Sequence, residues 1–394
     1  MSISDKERFL GICRFGRPGD LCMLAGFNAP WPLTVREWIK QGAPEQIKDT
    51  SFFDNYFQFD PLIRGLREIK TGAYLAGQID LGNGATYFQS VRTAIVPSFE
   101  PRIISEEGSN IILTNAEGQK IKVPKDSAWE TMPLYLDHPV KDRASWNELR
   151  KRLDPDTPER WPSDWDTYVE KINNLDKAVM LNVGSFFGAL REWVGLKELL
   201  YMFYDDPNLV EDMMNQICYL ETECLKRILK DIRIDCAWFW EDMAFKTGPL
   251  ISPDMVRKFM LPRYHRITDI LHSSGVDIIL VDSDGDVNKL IPLWLEVGIN
   301  GYYPLEVAAG NDAVALRKKY GKEIIMLGAI DKRVLTQGRE KIREEVMSKV
   351  PFLLEQGGYL PAVDHAVPHN VPWENYRYFV NTMREVAGLD KLPE

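Results

Sequence analysis

From about residue 177 the chain alternates short apolar runs with longer stretches in which apolar positions recur every three or four residues. The runs at 178–183, 236–240, 277–282, 300–303, 323–327 and 358–361 have strand length. The stretches at 207–230, 254–272, 287–296, 313–320, 339–355 and 373–385 have helical length and period. Strands separated by helix-length segments predict βαβ units and a parallel sheet. The punctuation agrees. Asp206-Pro207 and Ser252-Pro253 each set a capping residue before a first-turn proline, and Gly275 follows the helix ending near His272. Six such units in half the chain predict an α/β fold of the closed (β/α)8 TIM barrel type rather than a doubly wound sheet, the remaining strands lying upstream.

The first 140 residues follow another pattern. Residues 1–13 read as an N-terminal helical extension, and 21–24 as the first barrel strand. From about 86 to 123 apolar and polar residues alternate with period two around a turn at 115–118, which predicts an antiparallel β-hairpin insert. A proline-rich connector at 155–162 leads into the regular part. The expected organisation is a single domain over 1–394, with 1–140 carrying the insert and 177–390 the regular β/α units.

Composition narrows the function classes. A net charge of −10, a pI near 5.3 and the absence of any basic block argue against a nucleic-acid partner. No apolar run is long enough to span a bilayer, so no membrane role is expected. The N-terminal stretch mixes acidic and basic residues without a signal-like apolar core, which predicts a cytoplasmic protein. Cys13, Cys22, Cys218, Cys224 and Cys236 form no paired spacing and read as reduced, mostly buried thiols. No glycine-rich loop matches a nucleotide fingerprint.

The chemistry gathers where the strands end. Trp240-Glu241-Asp242 follows one strand, Asp282-Ser283-Asp284-Gly285-Asp286 the next, and Tyr302-Tyr303-Pro304-Leu305-Glu306 the one after. Asp331-Lys332 and Asp364-His365 follow two more. In a β/α barrel these ends face one mouth, so five successive ionisable ends predict a catalytic rim. Some of these residues have a plainer reading. Asp286 is expected to cap the helix after it, Asp331 is equally suited to capping, and His265 and His272 share an outer helix face.

Four ordered blocks then carry a resemblance. They are EDMAFKTGPLISPDMVRKFMLPRY at 241–264, YYPLEVAAGNDAVALRKKYG at 302–321, LGAIDKRVL at 327–335 and GGYLPAVDHAVPHNVPWENYRYF at 357–379. Over the C-terminal half the chain resembles the uroporphyrinogen decarboxylase superfamily, and within it the corrinoid-dependent methyltransferase branch. Thiol-directed members of that branch use a zinc motif, His-x-Cys with a later Cys. The matching positions here are Asp282-Ser283-Asp284 and His365, a harder set that suits zinc, manganese or iron. The decarboxylases themselves take a tetrapyrrole with eight carboxylates, using N-terminal arginines and a pyrrole-binding aspartate. Arg14 and Arg17 are the basic pair near the start, and Asp80 stands nearest to that aspartate.

The resemblance therefore implies methyl transfer involving a corrinoid protein and a small methyl donor or acceptor. A divalent metal, with zinc foremost, would sit on Asp282, Asp284 and His365. The catalytic set is Glu241, Asp242, Asp282 and His365; Arg14, Arg17, Tyr302, Glu306, Asp331 and Lys332 are expected to bind substrate. The alternative is a decarboxylase, of uroporphyrinogen or another carboxylic acid, in which acid–base residues work without metal. A homodimer is compatible with either.

Overall fold

The structure is a computed structural model that describes residues 3–60, 63–64, 66, 68–71, 74–80, 86–125 and 132–392. Its centre is a seven-stranded sheet with strands Ile63–Arg64, Val179–Asn182, Cys236–Trp240, Ile279–Asp282, Gly301–Tyr303, Ile325–Ile330 and Tyr359–Val363 in sequence order. Every neighbouring pair is parallel. Among the described residues the order never reverses, so it shows no switch point of the doubly wound kind. The six strands expected downstream of residue 177 all form. The run at 21–24 does not join the ladder and contributes a single parallel bridge, Leu24 to Asp60.

The two faces of the sheet bury different partners because strand side chains alternate. Val179, Leu181, Ala237, Phe239, Ile279, Val281, Tyr302, Met326 and Tyr359 join the large core shared with the helices. The intervening residues Met180, Cys236, Leu280, Ile325, Leu327, Leu360 and Ala362 form a separate inner cluster. Phe9, Ile12 and Cys13 from the Asp5–Cys13 helix belong to the same inner cluster, as do Cys22, Leu24 and Phe27. Gly301 makes room within it: a Cβ there would lie 2.0 Å from Leu280 Cδ2.

The N-terminal helix fixes which end is closed. Lys6 pairs with Asp235 at 2.7 Å and Arg14 grips Asp277 through two bonds of 2.8 and 2.9 Å. Both aspartates precede their strands, so this helix lies at the amino ends of the sheet. Arg17 pairs with Asp20 on the same segment. The expectation that Arg14 and Arg17 bind substrate is thereby corrected. From Asp277 to Asp282 is about 16 Å of extended chain, and both arginines hold the opposite end.

The insert is larger than the hairpin expected. Tyr74–Asp80 pairs with Thr86–Val91, and Arg102–Glu107, Asn110–Thr114, Lys120–Pro124 and Leu134–Asp137 form a four-stranded antiparallel sheet. The turn at 115–118 forms, with the Asn115 side chain accepting from Glu117 N and Gln119 N. The side chain of Asp80 lies outside the described residues. The helix expected over 254–272 is broken by a π turn at Val256–Met260, just ahead of Pro262, which lacks an N–H to continue the ladder. No helix among the described residues is long and apolar enough to cross a membrane.

One glycine sets the spacing of two site loops. Gly328 has φ +91°, and a Cβ there would lie 2.2 Å from the Pro304 carbonyl oxygen. Gly310 has φ +92° with open space around it. Gly310→Ala is expected to cost about 1 kcal/mol and Gly328→Ala roughly twice that or more, because only the second adds a backbone collision. Urea denaturation of both variants checks this; equal losses would contradict the packing argument.

Candidate functional site

The carboxyl ends of the strands build a mouth with an aromatic floor and an ionisable rim. Trp240, Asp282 and Tyr303 are in register across three strands and share the inner face with Trp238 and Leu280. Phe27 packs on Trp238 at 5.4 Å and edge-on against Tyr303 at 4.7 Å between ring centres. Above this floor, the loops stitch themselves together. Gly285 N donates to Glu306 Oε2 at 2.9 Å, and Asp286 N donates to the Phe245 carbonyl at 3.0 Å. Gly285 is at φ +84°, where a Cβ would lie 2.6 Å from the Ala244 backbone, so no side chain fits.

Four ionisable groups face one another across the rim. His365 Nε2 lies 3.6 Å from Asp284 Oδ2, and the imidazole stacks on Trp31 at 6.2 Å. Lys332 Nζ lies 3.4 Å from Glu306 Oε1. Burial, then repulsion from Asp242 and Glu306, raises the Asp284 carboxyl to about 7, against the opposing pull of Lys332 and Arg191. Burial and the Lys332 charge lower the His365 imidazole, while Glu306 and Asp242 act the other way. The site therefore sets a carboxylic acid that holds its proton more tightly than usual beside an imidazole that holds its proton less tightly. A gap of 3.6 Å is longer than a hydrogen bond but within one small movement of one.

Several expected site residues turn out to hold structure. Glu241 is fully buried, and its carboxylate accepts five hydrogen bonds: Ser185 Oγ at 3.1 Å, Phe186 N at 2.9 Å, Phe187 N at 2.7 Å, Gly188 N at 3.2 Å and the Tyr264 hydroxyl at 2.6 Å. It caps the Phe187–Val194 helix from a distance, supplying the acceptor that Phe186 at the N-cap lacks. Burial raises its carboxyl, and those hydrogen bonds oppose the rise. With no face toward the mouth it is not the acid–base group expected. Tyr302 points away from the mouth and donates to the Ile299 carbonyl at 2.9 Å within the outer core. Asp331 caps the turn after it, accepting from Arg333 N at 2.9 Å and pairing with the Arg333 guanidinium at 2.7 Å. Asp286 likewise caps, accepting from Asn288 N at 3.0 Å.

Arg191, Arg92, Trp240 and Trp31 were not visible as site residues in the sequence. Arg191 donates to the Asp242 carbonyl at 2.9 Å and lies 3.2 Å from its carboxylate. It sits inside a helix that reads as ordinary amphipathic sequence, and only the remote cap at Glu241 aims it at the rim.

A cation could be held, though by a different set from the one expected. One oxygen each of Asp242, Asp282 and Asp284 lies within 4.8 Å of the others. Three carboxylates are hard ligands that suit magnesium, manganese or calcium better than zinc. Arg191 already occupies one oxygen of Asp242.

A parallel α/β fold with ionisable residues gathered at its strand ends can host many reactions. The chain belongs to the uroporphyrinogen decarboxylase (URO-D) family, whose model matches residues 112–386. Among curated relatives, the uroporphyrinogen decarboxylase of Aliivibrio salmonicida is 24% identical over 198 residues, covering 47% of this chain and 51% of that protein. That of Legionella pneumophila is 25% identical over 199 residues, covering 48% and 52%. The chain spans about half the length of the curated relatives it matches. A methyltransferase from Methanosarcina mazei shares the fold, with a TM-score of 0.56 and 15% identity over 98% of this chain and 99% of that one.

These findings correct the methyl-transfer expectation. The sequence relatives consistently carry the decarboxylase name, and the methyltransferase likeness at 15% identity speaks for fold alone. The corrinoid-protein partner belonged to methyl transfer and has no place in the decarboxylase reading.

Two outcomes test the site as described. Glu241→Ala strands three backbone N–H groups and the Tyr264 hydroxyl, so a loss of about 3 kcal/mol or more is expected in denaturant unfolding. A loss under about 1 kcal/mol would remove the capping role. Asp284 has a folded pKa raised from 3.8 to about 7, so the folded chain binds its proton better than the unfolded chain between those values. Stability from this group is full at the acid end and falls as pH rises through that window. Asp284→Asn should therefore melt above the parent protein at about pH 8 and level with it at about pH 4.

Proposed function

We propose that the protein is a carboxy-lyase that removes a carboxyl group as CO2 from uroporphyrinogen or another carboxylic acid. The observation that carries this reading is the Asp284–His365 contact of 3.6 Å at the strand ends. Decarboxylation needs a place for the electron pair of the breaking C–C bond. Protonating an electron-rich ring carbon next to the carboxymethyl group provides that place. Asp284, with its carboxyl near 7, is the donor at neutral pH. The pair then moves into the ring as CO2 leaves, and the exposed methylene takes a proton from solvent through His365. The ring proton returns to Asp284. The net change is R–CH2–CO2⁻ plus H⁺ giving R–CH3 plus CO2. Lys332 and Glu306 orient substrate and set the charge around Asp284. The floor of Trp238, Tyr303 and Phe27 offers flat apolar surface to a ring.

Two further readings go with this one. The sheet closes into a barrel of eight strands within one domain over 1–394. In support, the segment after Cys22 bridges toward both free edges, Leu24 to Asp60 and Pro30 to Val367, each parallel. Asp242, Asp282 and Asp284 would hold a hard divalent cation when one is present; that cation would displace the Asp284 proton, so the cation-bound and proton-donating forms are alternative states of the site.

The test is CO2 release, with product chromatography, from uroporphyrinogen and from a panel of ring-bearing acetic acids. Asp284→Asn and His365→Gln should each slow release by roughly 10²–10⁴-fold. Because the protonated form is the active one, the rate should fall about tenfold per pH unit above about 7. Asp242→Asn removes a repelling charge and should move that fall to lower pH. No release from any substrate, or an Asp284→Asn variant at the parent rate, would overturn the reading.

A further inference from the structure

Two guanidinium groups converge on one indole at the edge of the mouth. The central carbon of Arg92 lies 5.4 Å from the centre of the Trp240 ring, and that of Arg191 lies 5.3 Å from it. Trp240 ends the strand beside Asp282 on the inner face, two residues before Asp242, whose carboxylate Arg191 contacts at 3.2 Å. Arg191 is fixed by Asp242 and, at 3.5 Å, by Glu192. Arg92 differs. Its side chain is exposed, and among the described residues it makes no ion pair.

The carboxylates whose charge reaches Arg92 are Glu192, Asp242 and Glu117, and each is committed elsewhere, Asp242 to Arg191. Glu117 is buried and accepts from the backbone N of Arg92 itself, from Thr93 N at 3.2 Å and from the Thr93 hydroxyl at 2.5 Å. Glu192 is buried and accepts from Gln119 Nε2 at 2.6 Å. These bonds anchor the backbone of Arg92 while its guanidinium lies over the indole. An arginine stacked on a ring keeps most of its five N–H donors in a plane suited to a carboxylate fork. The cost of ordering that long side chain is met before substrate arrives.

We propose that Arg92, with Trp240 and Arg191, forms a subsite for a substrate carboxylate that does not leave. The assignment rests on the carboxy-lyase reading. The leaving carboxylate loses its charge on the way to CO2, so an arginine fork on it would hold the ground state more tightly than the transition state. A fork on a spectator carboxylate carries no such penalty, and its binding energy orients the ring. The leaving group then faces Asp284, Glu306 and His365, where carboxylates outnumber cations. The arginines supplying the fork come from the insert edge and the Phe187–Val194 helix, not from the N-terminal segment.

The experiment is equilibrium binding of uroporphyrin, the oxidised macrocycle that cannot be turned over, followed by tryptophan fluorescence. Arg92→Gln should weaken binding at least tenfold, and Arg92→Lys should recover part of the loss. The affinity of the parent protein should fall with added salt, and Arg191→Lys should weaken binding because a point charge replaces a fork. Binding to Arg92→Gln within twofold of the parent, or no binding to the parent, would overturn the subsite. The circular dichroism spectrum of each variant confirms folding, and Arg92→Lys keeps the test alive if the glutamine variant does not fold. The two readings can fail separately. CO2 release with unchanged binding in Arg92→Gln removes the subsite alone; weakened binding without any CO2 release removes the lyase alone.

Discussion

A single buried carboxylate organises the carboxyl ends of the strands in this protein. Glu241 gathers the first N–H groups of the Phe187–Val194 helix, the Ser185 hydroxyl and the Tyr264 hydroxyl onto one side chain. A helix start left without acceptors in a buried place is costly, and Phe186 at the N-cap has no side-chain oxygen to offer. The solution reaches across from the end of a neighbouring strand. It locks helix to sheet, and the helix carries Arg191 to the adjacent Asp242. The rim charge pattern therefore rests on a residue that itself never meets the mouth.

The carboxylates at the strand ends divide their work by burial. Glu241 and Asp364 are buried and spent on backbone amides, Asp364 accepting from Val307 N at 2.9 Å and Lys332 N at 3.0 Å. Those bonds set the loops that carry Glu306 and Lys332. Asp242, Asp282 and Asp284 are only partly buried and crowd together. Like charges so close cannot all ionise freely, and the one that yields is Asp284. The same crowding raises one carboxyl and leaves three carboxylate oxygens close enough to share a hard cation, two consequences of one electrostatic fact.

Shared fold does not by itself carry shared chemistry. The methyltransferase from Methanosarcina mazei aligns over nearly the whole of both chains, yet at 15% identity that alignment conveys backbone course only. Sequence similarity to the decarboxylases covers about half the chain at 24–25% identity. The family model's match over residues 112–386 includes the rim residues. A scaffold that brings strand ends to one mouth can host many reactions, so the reading of activity has to come from the groups at the mouth.

The sequence by itself determined the parallel α/β architecture, since strand and helix periods and proline caps are local properties that survived folding with small shifts in boundary. It also located the rim, because strand ends are countable and Asp242, Asp282, Asp284, Glu306, Lys332 and His365 stand at them. What it left open was direction and burial. Tyr302 and Tyr303 are adjacent in sequence and face opposite sides of the sheet, so only the pairing register assigns one to the core and the other to the mouth. Glu241 and Asp242 are equally acidic neighbours, and only tertiary packing makes one a cap and the other a rim charge. Arg14 and Arg17 look available until Asp277 and Asp20 claim them at the far end. Arg92 and Arg191 lie 99 positions apart in the sequence, and only the sheet that places Trp240 between their segments makes them one site. Local pattern encodes which elements form; partners distant in sequence decide where each side chain points and which charges remain to do chemistry.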